Sequence, residues 1–332
     1  MRAVRDSDGS DDITPYPFES VPGAWQLTGA ACDNPSGGPT GPVTPNWGRV
    51  TPFTMTSNTQ FRQDHPASAS GYQELLSSSL YATHVNEVKL LGRFDSATRT
   101  QEQTDIAWFW ANDLDGTYKP VGQLLASLED FTTGQGITDP VALSRIYTLV
   151  SLALADAGIA AWDQKYDTVI DLWRPQTAIQ QADDDGNPAT VPDPEWLPLL
   201  ALAPPSTTRI NPCFPAWVSG HATFAAAWAG VMANEFGDAT SVTVGSEDPR
   251  AFGQTRTFSS FSAAAVENAE SRIFLGVHYR FDADDGLATG FGLADHVYDN
   301  FLTELCTAIC DEPASLAPGP AWLPPGGSIW AV

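Results

Sequence analysis

Apolar positions in this chain recur mainly at three- and four-residue intervals, the spacing of one helix face. Between Gly71 and Leu91, the residues Leu75, Leu76, Leu80, Val85, Val88 and Leu91 follow that rhythm and predict a helix. Thr98–Ala111 opens on Thr-x-x-Gln, the pattern of a capping box, and runs into Trp108-Phe109-Trp110. Asp139-Pro140 supplies an N-cap and a proline at the first helical position, predicting a long helix to about Trp162. Ser219 predicts the N-cap of a helix through Phe236, which Gly237 stops. Phe261–Leu275 and Asp284–Leu305 complete the helical set. Strand signals are few and short. Residues 1–66, rich in Gly, Pro, Thr and Asn, read as ordered loop anchored on a core by Trp25, Trp47 and Phe53. Asp183–Pro188 reads as a solvated turn; its aspartates are spaced as for calcium, but the later Glu of an EF-hand is missing. The expected class is all-α, a helical bundle over 67–312 with a loop-rich N-terminal segment and a Pro/Gly-rich tail over 313–332.

Composition narrows the partners. The chain has 332 residues, 42% hydrophobic and 17% charged, enough to bury a sizeable core. Its formal net charge of −24 argues against nucleic acid or an anionic membrane as the main partner. Lys89, Lys119 and Lys165 are the only lysines, a skew that fits a high-salt habitat or a high-GC genome. The longest nearly apolar run, Tyr147–Ala161, contains Asp156 and falls short of the roughly 20 residues of a span, so it reads as a buried core helix. The N-terminus has no apolar signal-peptide core, which leaves an intracellular protein or a mature or truncated form. Cys32, Cys213, Cys306 and Cys310 show no zinc spacing and read as buried or disulfide-linked.

Three segments concentrate residues that an apolar core has no use for: Lys165 through Arg174-Pro175, Phe214 through Thr223, and Ser271-Arg272 through His278 and Asp282. Ser219-Gly220-His221 lies at an expected helix N-terminus, where free N–H groups and the positive dipole end favour an anion. Lys165, Arg174 and Arg272 add cations, and His221 and His278 add imidazoles. Together they suit a tetrahedral oxyanion such as phosphate or vanadate. One histidine could bond the central atom and the other could move protons. Asp282, four residues after His278, could orient its imidazole if that stretch is helical.

The set resembles the three-part signature shared by vanadium-dependent haloperoxidases and type 2 phosphatidic acid phosphatases: Lys-x6-Arg-Pro, Pro-Ser-Gly-His and Ser-Arg-x5-His-x3-Asp. The third part matches in full, and the filler around His278, the Phe214–Phe224 stretch and Trp173 are similar to the haloperoxidase branch. Looser similarity runs from about Trp47 to about Leu305. The resemblance implies vanadate as cofactor and His278 as the axial ligand that binds vanadium, or as nucleophile in a phosphatase. It implies His221 as acid–base, and Lys165, Arg174, Arg272, Ser219 and Gly220 as partners of the vanadate oxygens. Asp282 would orient His278. Asp113, or its neighbour Asp115, would be the acid paired with an active-site Arg. Phe214 matches an aromatic position near the halide route of chloroperoxidase-like members. Hydrogen peroxide, halide and a small organic acceptor would be the substrates, with bromide easier to oxidise than chloride. A soluble acid phosphatase with the same pocket is the alternative, and a non-catalytic oxyanion-binding protein is a further one. Association into homo-oligomers through helical faces is a property of the resemblance too. Family members carry helical sequence before this point, so the expectation is a chain lacking a helix or an export signal. The resemblance and the even cysteine count favour a secreted or periplasmic location.

Two departures stand out. Val218 replaces the Pro before Ser219. Lys165 and Arg174 are separated by eight residues instead of six. Seven steps on an ideal helix turn roughly 700°, bringing both side chains to one face, whereas nine turn roughly 900° and oppose them. Lys165 can therefore join Arg174 only if the helix ends or bulges between them; the β-branched Thr168-Val169-Ile170 run and the coming Pro175 predict an early end. His65 and His84 read as surface or interface residues, His296 as packing or capping, and Trp173 and Trp217 as core anchors that could also line the pocket.

Overall fold

The computed structural model describes residues 5–28, 41–114, 116–202 and 211–303. Cys32, Asp115, Cys306, Cys310 and the 313–332 tail lie outside them. Among the described residues the architecture is all-α apart from one hairpin. The helices are α1 (Tyr72–Leu76), α2 (Ser79–Leu91), α3 (Gln101–Phe109), α4 (Lys119–Gly134) and α5 (Pro140–Tyr166). They continue with α6 (Pro175–Gln180), α7 (Gly220–Phe236), α8 (Phe261–Phe274) and α9 (Arg280–Asn300). Strands β1 (Val242–Gly245) and β2 (Thr255–Phe258) pair antiparallel between α7 and α8.

Local signals explain most boundaries. Asp139 caps α5 by accepting from the N–H groups of Val141 and Ala142. Ser219 caps α7 by accepting from Ala222 N, and Gly237, at φ 82°, ends it. Several expectations need correction. The Gly71–Leu91 helix is two helices, because Ser78 leaves the helical region and caps α2 through Tyr81 N. The capping box of α3 is built by Thr100 and Gln103, two residues later than expected. Helix α9 begins at Arg280 and ends at Asn300 instead of spanning Asp284–Leu305. Helix α4 and the hairpin were not anticipated. Nor is Asp183–Pro188 a merely solvated turn: Asp185 is buried and accepts from Asn187 N and Thr190 Oγ1. Asn187 in turn donates to the carbonyls of Leu76 and Ser78, tying this loop to the α1–α2 junction.

Helix α7 occupies the centre. Its alanine-rich run is buried from Gly220 through Ala233 except for Phe224, and α5, α8 and α9 pack around it. The approach of α9 is close because glycines face α7: a Cβ at Gly290 would lie 2.3 Å from Thr223 O, and one at Gly286 would lie 2.8 Å from Ser219 O. Helix α5 is, by length and composition, apolar enough to cross a membrane. Here Asp156, Asp163 and Lys165 are buried within it, and each is paired. The N-terminal segment is stitched to this helix. Asp156 accepts from Phe53 N, Thr54 N, Thr54 Oγ1 and Met55 N, and Arg62 forms a two-point ion pair with Asp163. A buried carboxylate is stable only when its lone pairs are met in this way.

Candidate active site

The end of α5 resolves the long Lys165–Arg174 spacing. The helix stops at Tyr166, with Asp167 as its C-cap, and the chain then runs extended to Arg174, which precedes α6. Neighbours on both sides hold that extended run. Trp25 N donates to Asp171 O, Trp173 N donates to Gly23 O, and Ala216 N donates to Leu172 O. Tyr16 Oη also donates to the Asp171 carboxylate at 2.5 Å. The side chains of Lys165 and Arg174 thus reach one pocket although an unbroken helix would oppose them.

Lys165 is fully buried and donates to the carbonyls of Pro215 (2.9 Å), Ala216 (3.0 Å) and Val218. Arg174 Nε donates to Phe214 O at 2.7 Å, and one Nη donates to Val277 O at 2.8 Å. These two cations therefore grip the segment leading into Ser219 from behind. That segment also holds Cys213, which is disulfide-bonded.

Arg272 and His278 meet through a tight chain reversal. Helix α8 ends at Phe274, and Gly276 at φ 81° turns the backbone so that Val277 N donates back to Arg272 O at 3.1 Å. Glycine adopts that conformation without steric cost. A Cβ at Gly276 would also lie 2.4 Å from Gly92 O, so a second constraint excludes larger residues there.

The protons on both histidines follow from their partners. His278 Nδ1 lies 2.8 Å from Asp282 Oδ2, and its Nε2 lies 3.1 Å from an Arg174 Nη. Arginine only donates, so Nε2 accepts and Nδ1 carries the hydrogen. Asp282 is the third residue of α9, and the same oxygen accepts from Tyr279 N at 3.1 Å. His221 Nε2 lies 3.3 Å from Ala111 O, which only accepts; Nε2 is therefore the donor and Nδ1 holds the lone pair. Asp113 stands between Arg272, at 3.1 Å from Nη2, and His221 Nε2, at 3.9 Å.

Charge is concentrated here in a largely buried setting. Burial drives Lys165 well below its usual range, and the charges of Arg174 and Arg272 add to this. Burial also brings Arg174 down to about 9. Burial takes His221 down to about 3, Arg272 adds to the fall, and Asp113 opposes it. His278 is pushed far down by burial and then by Arg174, Lys165 and Arg272. Burial pushes Asp113 up, but Arg272 and His221 more than offset it and hold the carboxyl below its ordinary range. Asp282 is raised by burial to about 7 against the pull of Lys165 and Arg174. Both histidines are thus neutral near neutral pH, and the pocket is a buried cationic cluster.

Every candidate site residue with described coordinates converges on this pocket: Lys165, Arg174, Ser219, Gly220, His221, Arg272, His278, Asp282 and Asp113. Trp162 is one that sequence reasoning missed. Its ring lies 5.1 Å from that of Phe214, and a Cβ at Gly220 would touch it at 3.4 Å. The Phe214 ring also lies 4.9 Å from Lys165 Nζ and 4.7 Å from the Arg174 guanidinium. Trp162 and Phe214 form an aromatic wall against the cations; the available signal was that Trp162 precedes Lys165 by one helical turn. Trp173 and Trp217 lie behind the pocket, where their indole N–H groups donate to Tyr81 Oη and Asp285 Oδ2. His65, expected in a surface loop, is half-buried with its ring 4.8 Å from that of Trp217, whereas His84 accepts from Phe281 N as a satisfied histidine. His296 packs between Phe61 and Phe301, as expected.

A central small-residue helix whose N-terminus meets two arginines, a lysine and two neutral histidines defines an oxyanion-binding helical bundle. Residues 145–305 match the model of the VCPO second helical-bundle domain, which places that part of the chain in the vanadium-dependent haloperoxidase family. It is 30% identical over 290 residues to a vanadium chloroperoxidase from Curvularia inaequalis, an alignment covering 72% of this chain and 46% of that protein. It therefore spans about half the length of that relative. Its fold is similar to a bacterial vanadium-dependent iodoperoxidase (TM-score 0.67, 28% identity, 89% of this chain and 65% of the other). It is also similar to a bacterial vanadium-dependent chloroperoxidase in its apo form (TM-score 0.65, 18% identity, 90% and 70%).

Proposed function

We propose that the chain is a vanadate-dependent haloperoxidase, using hydrogen peroxide to oxidise halide, bromide more readily than chloride, and so halogenating organic acceptors. The observation that carries this reading is a set of buried polar atoms with no hydrogen-bond partner among the described residues: Arg174 Nη2 and Arg272 Nε and Nη1. A native fold leaves such donors unmet only where a guest or water meets them. They surround His278, whose Nε2 carries no hydrogen and accepts from one Arg174 Nη, a contact that a guest bound at Nε2 would replace, beside the N–H groups opening α7 and the Ser219 hydroxyl. That donor set fits vanadate. Lys165, Arg174 and Arg272 would balance the charge on its oxygens, Ser219 Oγ and Gly220 N–H would donate to them, and His278 Nε2 would hold the metal.

Vanadate bound there would supply a Lewis acid that polarises peroxide without changing oxidation state. The remaining work falls to the chain. Asp282 keeps the proton on His278 Nδ1 and so keeps Nε2 as a donor of electrons. Neutral His221 takes the peroxide proton at Nδ1, and Asp113 stabilises the resulting cation. The Trp162–Phe214 wall excludes water beside the cations and leaves halide a polarisable surface.

The test uses one preparation, stripped and reloaded with orthovanadate, beside His278→Ala. Vanadate- and peroxide-dependent bromination of a chromogenic acceptor that disappears in the variant is the expected result. Hydrolysis of p-nitrophenyl phosphate by the unloaded protein without bromination would assign the pocket to phosphate esters instead. Silence in both, with oxyanion binding retained, would leave a binding protein.

A further inference from the structure

The two groups that polarise His221 come from the residues on either side of Asn112. Ala111 offers a backbone carbonyl to His221 Nε2, and Asp113 offers a side chain to Arg272 and His221. Residues 111 and 113 of an ordinary extended or helical segment would not turn those two groups into one pocket. Asn112 between them has φ 40°, the left-handed region, and is fully buried. There the chain leaves the end of α3, where Ala111 N still donates to Trp108 O, and reverses towards Asp113.

We infer that Asn112 is a positioning residue for the proposed reaction, its left-handed backbone setting Ala111 O and Asp113 against His221 and Arg272. The side-chain contacts are too weak to explain the residue. Its Nδ2 reaches Phe109 O and Ser246 Oγ only at 3.5 Å each, and its Oδ1 has no partner among the described residues. The position therefore demands a conformation more than an amide. Glycine adopts it freely, asparagine tolerates it, and other L-residues pay about 1–2 kcal/mol. Alanine at 112 would relax towards negative φ, moving either the Ala111 carbonyl or the Asp113 carboxylate out of place. Asp113 makes the one hydrogen bond of Arg272's guanidinium among the described residues, so its displacement would also free that cation.

This inference rests on the haloperoxidase reading of the pocket, and the test separates the two. Asn112→Ala and Asn112→Gly both remove the amide, but only glycine preserves the backbone. Orthovanadate affinity by equilibrium dialysis, bromination kcat and KM, and thermal unfolding would be measured on each full-length variant. Asn112→Ala is expected to lose affinity and kcat by about ten- to a hundredfold, the cost of disturbing groups that orient a metal site. Asn112→Gly is expected to stay near wild type in both. Equal losses in the two variants, or an Asn112→Ala whose only change is a lower melting temperature, would overturn the inference. Should the alanine variant not fold, a glycine variant that loses binding overturns it alone, and one that keeps it supports it. Wild type that binds orthovanadate but does not brominate refutes the haloperoxidase reading only, because the binding comparison still stands. Wild type that does not bind it refutes both.

Discussion

Removing Asp282 tests whether the proton on His278 is held where the pocket needs it. The wild-type carboxylate accepts from His278 Nδ1 at 2.8 Å and from Tyr279 N at 3.1 Å, all in a buried setting. A hydrogen bond to a charged group contributes about 1.5–3 kcal/mol, and its loss leaves a buried N–H unmet. At about 1.4 kcal/mol per decade, Asp282→Ala should weaken orthovanadate binding about ten- to a hundredfold. Asp282→Asn can keep an oxygen against Nδ1, and a neutral acceptor is about half as strong. Its loss should therefore be near three- to tenfold. The removed carboxylate no longer repels the oxyanion, which works in the opposite direction. It also no longer supports the charge on Lys165, which burial already holds low, so the pocket loses positive charge as well. The two changes offset, and the hydrogen bond decides the order: wild type, then Asn, then Ala. Equilibrium dialysis against orthovanadate measures it, with thermal unfolding alongside. An alanine variant binding within twofold of wild type at an unchanged melting temperature would refute the argument, and so would an asparagine variant weaker than alanine.

Four further outcomes follow from packing and charge. Gly290→Ala places a methyl 2.3 Å from Thr223 O and 2.6 Å from Ala226 Cβ, so urea unfolding should show a loss of about 1–3 kcal/mol. Gly292→Ala meets only the Phe61 ring, at 3.3 Å and beyond, and should be near neutral or slightly stabilising. Asp156→Ala strips the acceptor from three backbone N–H groups and one hydroxyl, and should lower stability by about 3–5 kcal/mol and expose the 53–55 turn to proteolysis. Asp171, raised by burial to about 7 in the fold, binds its proton more tightly folded than unfolded. Its share of stability is therefore complete below pH 4 and is lost as pH rises through 7; Asp171→Asn should flatten that part of the pH–stability profile.

The sequence revealed the site more fully than the frame around it. The motif residues could be read because their chemistry is conspicuous in an apolar, acidic chain: a Ser-Gly-His at a helix start, and an Arg and a His six apart followed by Asp282. Helix α4 was hidden by composition. Val121, Leu124, Leu125, Leu128 and Phe131 repeat at helical spacing, but Gly122 and a start at Lys119-Pro120 mask its beginning. The split between α1 and α2 was hidden because Ser77, Ser78 and Ser79 are each acceptable inside a helix, and only tertiary contacts select Ser78 as a cap. The Asp185–Asn187 staple was hidden because a buried Asx turn and a solvated one have the same composition. Trp162 was overlooked because its partner, Phe214, lies far away in sequence.

The eight-residue gap between Lys165 and Arg174 shows how a local departure from a motif can leave the site intact. On an unbroken helix the pair would diverge, and the fold answers by ending α5 at Tyr166 and extending the chain. An extended segment cannot satisfy its own backbone, so it needs partners on both sides. The N-terminal segment supplies one side through Gly23 and Trp25, and the Phe214–Val218 segment supplies the other through Ala216. Carbonyls of the same Phe214–Val218 segment accept hydrogen bonds from Lys165 and Arg174. The loop-rich N-terminus is therefore coupled to the oxyanion pocket through one edge of backbone hydrogen bonds. Its Gly-, Pro-, Thr- and Asn-rich sequence, read as ordered loop anchored by Trp25, Trp47 and Phe53, follows that edge. Loss of those bonds should reach Arg174 before it reaches His278, because Arg174 follows directly on the extended run, while His278 is held by Asp282 and the Gly276 turn as well as by Arg174.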